Sequence, residues 1–101
     1  RNRPMIAELQ VLPRPSGTDE DPHAFVEAAI AAIGAAGVHH EVSALGTTLE
    51  GSPDDVWAVL RAAHEATLAV GATFTISVIK LAEGVDDGGP TMDRLTAKFR
   101  D

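Results

Sequence analysis

The 101-residue sequence has no cysteine, no tyrosine and few other aromatic side chains. Without cysteine the chain can form neither a disulfide framework nor a thiolate metal site, and it has no thiol nucleophile. Aromatic residues make up 4% of the chain, so we expect a thin core built from Val, Leu, Ile and Ala. Such a core favours association, because a second subunit buries apolar surface that one small domain leaves exposed.

Long apolar runs and positive charge are also scarce. The apolar runs fall short of the roughly 18 residues that a transmembrane helix requires, and no signal-peptide core is visible. We therefore expect a cytoplasmic protein with no membrane partner. The formal net charge of −7 repels a phosphate backbone, so we expect no nucleic-acid partner; it mildly favours a cationic ligand.

What is present is the composition of an ordinary globular domain, with 45% hydrophobic and 23% charged residues. No internal repeat or linker interrupts it. We expect a single domain over residues 5–101, with residues 1–4 as an N-terminal extension or an expression remnant.

The hydrophobic pattern predicts an α+β fold. Alternation predicts strands over 5–12, 39–45, 47–51 and 73–81, and three- and four-residue spacing predicts helices over 22–36 and 53–70 and a short one from 92. Thr18 or Asp19, Ser52 and Thr91 are the expected N-caps, and Gly37 is an expected C-terminal cap. This order predicts a ferredoxin-like βαββαβ sandwich, a four-stranded antiparallel sheet with two helices on one face.

Because helices cover one side of such a sheet, alternation divides the strands into a core face and an open face. The residues expected to face the helices are Ala7, Leu9, Val11, Val42, Ala44, Leu49, Phe74, Ile76 and Val78. The residues expected on the open face are Glu8, Gln10, Leu12, Glu41, Ser43, Leu45, Thr48, Glu50, Thr75, Ser77 and Ile79. That mixed face suits either an interface holding a small polar ligand or a plain solvated surface.

Histidine and serine residues form no recognisable catalytic or metal-binding motif. His39 and His40 are adjacent on a strand and point to opposite faces, so they cannot share one ion. Ser43 and Ser77 can approach Glu50, but the pattern places no histidine beside them as a base. We therefore predict no metal ligand, no catalytic residue and no cofactor. The glycine-containing stretch 84–89 lacks phosphate-loop spacing.

Four stretches of the sequence, in this order and spacing, carry a resemblance to a known family. They are residues 5–13, 45–51, 63–66 and 77–80, which read MIAELQVLP, LGTTLEG, AHEA and SVIK. Together they resemble the MTH1187/YkoF-like family of thiamine-binding proteins, also called DUF77. The LGTTLEG stretch is the most specific of the four.

The resemblance implies a ferredoxin-like fold, dimers that assemble into homotetramers, and binding of thiamine or its hydroxymethylpyrimidine moiety without catalysis. Glu50 can accept a hydrogen bond from the pyrimidine amine while neighbouring side chains satisfy the ring nitrogens. We expect the pocket on the open face, although a cleft between helices and sheet also fits. The expected ligand-binding residues are Gln10, Ser43, Thr47, Thr48, Glu50 and Ser77.

Two other function classes remain open. A ferredoxin-like regulatory or assembly module would sense another metabolite or a protein partner. A small ferredoxin-like oxygenase or isomerase would need a buried base, for which His64 and Glu65 are the candidates.

Overall fold

The computed structural model describes residues 4–86 and 88–100; most of the expected N-terminal extension, residues 1–3, lies outside them. The elements follow the predicted order, and the last helix continues into a 3₁₀ turn, Ala97–Phe99. The strands and helices are β1 (Met5–Arg14), α1 (Ala24–Ala36), β2 (His39–Ser43), β3 (Gly46–Gly51), α2 (Pro53–Val70), β4 (Phe74–Glu83) and α3 (Met92–Thr96).

The four strands form one antiparallel sheet in the order β2-β3-β1-β4. This is the predicted ferredoxin-like α+β arrangement. Strand β1 is central, whereas β2 and β4 are the edge strands. Among the described helices, none is both long enough and apolar enough to cross a bilayer.

The hydrophobic core lies between the sheet and the pair α1 and α2. Alternate residues of β1 are buried from Met5 to Pro13, which confirms the core face predicted for that strand. The buried core comprises Met5, Ala7, Leu9, Val11, Leu49, Ala29, Ile33, Val56, Val59, Leu60 and Ala63. Apart from Met5, these are Val, Leu, Ile and Ala side chains, as the scarcity of aromatic residues predicts.

Local sequence signals fix the start of α2 and the end of α1. Ser52 Oγ accepts a hydrogen bond from the Asp55 N–H at 3.2 Å, and Pro53 is the first helical residue. Gly37 ends α1 with φ of 77°, in the left-handed region that glycine adopts without strain.

The predicted start of α1 is wrong. The helix begins at Ala24, and neither Thr18 nor Asp19 caps it. Thr18 Oγ1 instead accepts from the Asp21 N–H at 3.0 Å, which closes a separate turn ahead of the helix.

The hairpin turn also differs from the prediction. Ala44 and Leu45, expected on opposite faces of a strand, form the turn, and Gly46 begins β3. Ser43 is the last residue of β2 to pair, opposite Gly46, and its Oγ donates to the Gly46 carbonyl at 2.9 Å, which leaves Ala44 and Leu45 outside the ladder.

The faces predicted for β4 are reversed. Ser77 pairs with buried Val11, and Ile76 pairs with exposed Leu12. Thr75, Ser77 and Ile79 therefore lie on the helix side, and Phe74, Ile76 and Val78 lie on the open face. Because β4 is an edge strand with apolar residues on both faces, its own alternation does not show which face is covered.

The C-terminal segment, residues 91–100, lies against the open face of the sheet. The Met92 N–H donates to Glu50 Oε1 at 2.7 Å, and Thr91 Oγ1 caps α3 as predicted. Arg100 forms ion pairs with Glu41 at 3.7 Å and with Asp93 at 3.2 Å. The segment therefore covers part of the face that was expected to be open, although its Leu95 and Phe99 side chains stay exposed.

Candidate functional site

The six residues expected to bind ligand lie in three places. Gln10, Ser43 and Thr47 border a cavity beside the β2–β3 hairpin. Thr48 and Glu50 are on the open face, next to the C-terminal segment. Ser77 lies on the helix side of β4, beneath α2. They therefore do not form one site.

The hairpin cavity, defined by its lining residues, is an opening of about 180 Å³ between α1 and the turn of the β2–β3 hairpin. Thr47 is the buried polar residue of its lining, with 3% of its surface exposed. Thr47 is on the helix side of β3 because it pairs with buried Leu9. The lining consists of Leu9, Gln10, Val11, Val26, Ala29, Ile30, Ile33, Ser43, Ala44, Leu45, Gly46 and Thr47.

A length of unpaired strand edge adjoins this cavity. Strand β1 pairs with β3 only from Met5 to Leu9, so beyond Leu9 it has no described strand partner on the β3 side. The Leu9 carbonyl oxygen faces Gly46 across this edge. Since main-chain groups alternate in direction along a strand, the N–H and C=O of Val11 point the same way, toward the cavity side. The hairpin cavity thus combines apolar walls with a main-chain donor and acceptor that no described strand pairs on that side.

Thr48 and Glu50 point outward as predicted, because they pair with Glu8 and Ile6 on the open face. The Glu50 carboxylate, however, already accepts the Met92 N–H. Thr48 lines a cavity of about 140 Å³ under the C-terminal segment. A ligand amine that used Glu50 would have to compete with the Met92 amide.

The structure brings together a histidine and a serine that the sequence pattern kept apart. His64 Nδ1 lies 2.5 Å from Ser77 Oγ, within hydrogen-bonding distance. The pair joins α2 to β4 and was missed because Ser77 was predicted on the opposite face. A serine beside a histidine can act as a nucleophile, but the Ser77 hydroxyl is already held inside the fold.

Metal ligands are not clustered in the part of the chain that the structure describes. No group of three His, Asp or Glu side chains there is arranged to hold an ion. On the open face, the Nε2 atom of His39 lies 3.7 Å from Oδ1 of Asp93 in the C-terminal segment.

The fold and the hairpin cavity define a small ferredoxin-like domain with an apolar pocket, bordered by polar groups, beside its β2–β3 hairpin. Over residues 7–100 the chain matches the model of a family described as thiamine-binding protein. The chain therefore belongs to the thiamine-binding protein family, which confirms the resemblance noted from its sequence.

Relatives and solved structures agree with this assignment. The chain is 35% identical over 92 residues to a UPF0045 protein of Clostridium perfringens, covering 91% of this chain and 93% of that one. It is 34% identical over 84 residues to a UPF0045 protein of Methanothermobacter thermautotrophicus, covering 81% and 83%. A domain of unknown function, DUF77, from Bacillus cereus superposes with a TM-score of 0.85 at 31% identity, covering 99% of this chain and 93% of that one. A Methanocaldococcus jannascii protein superposes with a TM-score of 0.79 at 26% identity, covering 96% of each chain.

Proposed function

We propose that this protein binds thiamine or its hydroxymethylpyrimidine moiety, without catalysing a reaction on it, and works as a homo-oligomer. Family membership supports a thiamine-related role. The observation that carries the proposal is the hairpin cavity, an apolar pocket bordered by the Thr47 hydroxyl and the unpaired edge of β1 at Val11.

The chemistry of an aminopyrimidine matches this pocket. Its flat faces pack against aliphatic walls such as Val26 and Ile30 of α1. Its amine donates and the adjacent ring nitrogen accepts, which is the pattern that complements the C=O and N–H of Val11. The Thr47 hydroxyl is then available to the remaining ring nitrogen.

The size of the hairpin cavity limits what enters it. Pockets for drug-sized ligands measure roughly 300–1,000 Å³, whereas this one is about 180 Å³. We infer that it holds one ring, the pyrimidine, and leaves the thiazolium of thiamine at the mouth. The net charge of −7 favours that cation there.

Thr48 and Glu50 define the competing location for the same ligand. On the open face, Glu50 would bind the amine of the ligand, with Thr48 beside it. The ligand would first have to displace the Met92 amide from Glu50. The two locations are on opposite faces of one sheet, so neighbouring substitutions on β3 separate them.

The test is a calorimetric titration of thiamine and of hydroxymethylpyrimidine into Thr47→Val and Thr48→Val. The two changes remove the same hydroxyl from adjacent positions on opposite faces, so each is the control for the other. Losing one hydrogen bond worth about 0.5–1.5 kcal/mol weakens binding about 2- to 13-fold. We expect that loss in Thr47→Val, with Thr48→Val and Glu50→Gln like wild type.

Weaker binding in Thr48→Val and Glu50→Gln, with Thr47→Val like wild type, would place the ligand on the open face. A wild-type protein that shows neither binding heat nor a rise in Tm with either compound would refute the thiamine proposal and favour a module for another metabolite or partner.

A further inference from the structure

We propose that the hairpin cavity selects unphosphorylated ligands, thiamine or hydroxymethylpyrimidine, and discriminates against their phosphate esters. This inference rests on the proposed function and narrows the ligand class of the same site. The distinction matters because both compounds carry a hydroxyl group that can be esterified with phosphate.

The walls of the hairpin cavity are neutral. The described residues that line it are aliphatic, glycine, serine, threonine or glutamine. Ser43 Oγ already donates to the Gly46 carbonyl at 2.9 Å, and the proposed pose uses the Thr47 hydroxyl and the Val11 N–H for the pyrimidine ring. Phosphate sites in proteins usually rely on Arg, Lys or other charge-assisted donors. This lining suits a neutral ring and gives an ester phosphate no charged partner.

The start of α1 is not a substitute phosphate site, because the preceding loop uses its amides. Helix N-termini bind phosphate through N–H groups that have no main-chain partner. The Ala24 N–H, however, donates to the Asp21 carbonyl at 3.1 Å. The Phe25 N–H donates to the Ser16 carbonyl at 2.9 Å. Both amides are therefore committed to the fold before a ligand arrives.

Basic side chains in the described part of the chain are placed on other surfaces. Arg61 is on α2, with its Nε 3.1 Å from Oε2 of Glu65 and its side chain 80% exposed. Arg14 pairs with Phe74 on the open face, at the end of β1. The remaining described cations lie on the open face or in the C-terminal segment against it, and they are Lys80, Arg94, Lys98 and Arg100.

The charge that α1 contributes beside the cavity is negative. Four residues of α1 line the cavity at helical spacing, from Val26 to Ile33. Glu27 is exposed and stands three residues before Ile30, so it flanks this lining stripe. Together with the net charge of −7, it makes the mouth of the cavity favourable for a cation and unfavourable for an anion.

The proposed pose brings an ester phosphate to this surroundings. With the pyrimidine inside and the thiazolium at the mouth, the phosphates of thiamine diphosphate also lie at the mouth. In the phosphate ester of hydroxymethylpyrimidine, the phosphate is attached beside the ring and lies closer to the apolar walls. Because juxtaposed like charges oppose binding, we expect either ester to bind about 10-fold or more weakly than its free alcohol.

The first experiment is calorimetric titration of the wild-type protein with thiamine and with thiamine diphosphate, at two salt concentrations. The Debye length falls from about 10 Å at 0.1 M to about 3 Å at 1 M salt. We expect a preference for thiamine of about 10-fold or more at the lower concentration. The preference should shrink at the higher concentration, because salt screens both the attraction of the thiazolium and the repulsion of the phosphates.

The second experiment adds a cation at the mouth in Leu45→Arg. Leu45 borders the cavity from the hairpin turn and is 80% exposed, so an arginine there needs no burial. We expect it to strengthen binding of the diphosphate, weaken binding of thiamine, and lower the preference by about 5-fold.

Val85→Arg is the matched control for Leu45→Arg. Val85 is 93% exposed and follows Glu83, which pairs with Met5 at the other end of β1. The two variants change the net charge equally, but we expect Val85→Arg to keep the wild-type preference. Circular dichroism checks folding, and Ala44→Arg, at the neighbouring exposed turn position, replaces Leu45→Arg if that variant does not fold.

The outcomes separate this inference from the proposed function. Equal binding of thiamine and thiamine diphosphate by the wild-type protein would overturn the selection and leave thiamine binding intact. Equal effects of Leu45→Arg and Val85→Arg on the preference would overturn its origin at the cavity mouth. A wild-type protein that binds neither compound would overturn the proposed function itself.

Discussion

Replacement of Glu50 by alanine tests the contact that holds the C-terminal segment on the sheet. The Glu50 carboxylate accepts the Met92 N–H at 2.7 Å, at the first residue of α3. Hydrogen bonds to charged groups contribute roughly 1.5–3 kcal/mol to stability, and Glu50 is half-buried rather than enclosed. We therefore expect Glu50→Ala to lower the free energy of unfolding by about 1–2 kcal/mol.

Glu41→Ala is the matched control, because it removes a second carboxylate that the same segment contacts. Its oxygen is 3.7 Å from Arg100 and both side chains are largely exposed, so the loss is about 0.5 kcal/mol or less. Urea unfolding gives both values, and hydrogen exchange of residues 92–99 shows whether the segment loosens. Equal effects of the two substitutions, or unchanged exchange of the segment in Glu50→Ala, would refute the account of how it is held.

Two further predictions concern the core and the helix ends. Leu49 is fully buried between sheet and helices, so Leu49→Ala should lower the free energy of unfolding by about 2–5 kcal/mol. Leu45 is 80% exposed in the hairpin turn, so Leu45→Ala should change it by less than about 0.5 kcal/mol. Similar values for the two variants in denaturant unfolding would contradict the assignment of the core. Gly71 has φ of 143°, and an added Cβ would lie 2.7 Å from the Phe25 ring, so Gly71→Ala should cost about 1–3 kcal/mol. Gly34→Ala in α1, where an added Cβ meets nothing within 4 Å, should stabilise by about 0.5–1 kcal/mol; a rise in Tm for both glycine variants would be inconsistent with the described geometry.

The fold was predictable from the sequence where the signals were local. Alternation along β1 and the Ser52-Pro53 pair at the start of α2 each specify one structure, and both predictions were confirmed. The prediction for the start of α1 was wrong because several polar residues precede the helix, and Thr18 closes a separate turn instead of capping it.

The arrangement of the candidate site depends on tertiary register, which no local pattern contains. Thr47 borders a cavity because β3 pairs with β1 only as far as Leu9, whereas β1 continues to Arg14. Ser77 was assigned to the wrong face because both faces of β4 carry apolar residues. Thr48 and Glu50 were correctly predicted to point outward, but the sequence did not show that Met92 would meet Glu50.

An NMR titration of the isotopically labelled protein with hydroxymethylpyrimidine shows directly whether the ligand binds in the hairpin cavity. If the pyrimidine enters the hairpin cavity, the largest amide shifts occur at Val11, Ala29 and Thr47, which line it. Shifts confined to Thr48, Glu50 and Met92 would contradict it, because the ligand would then occupy the opposite face of the sheet.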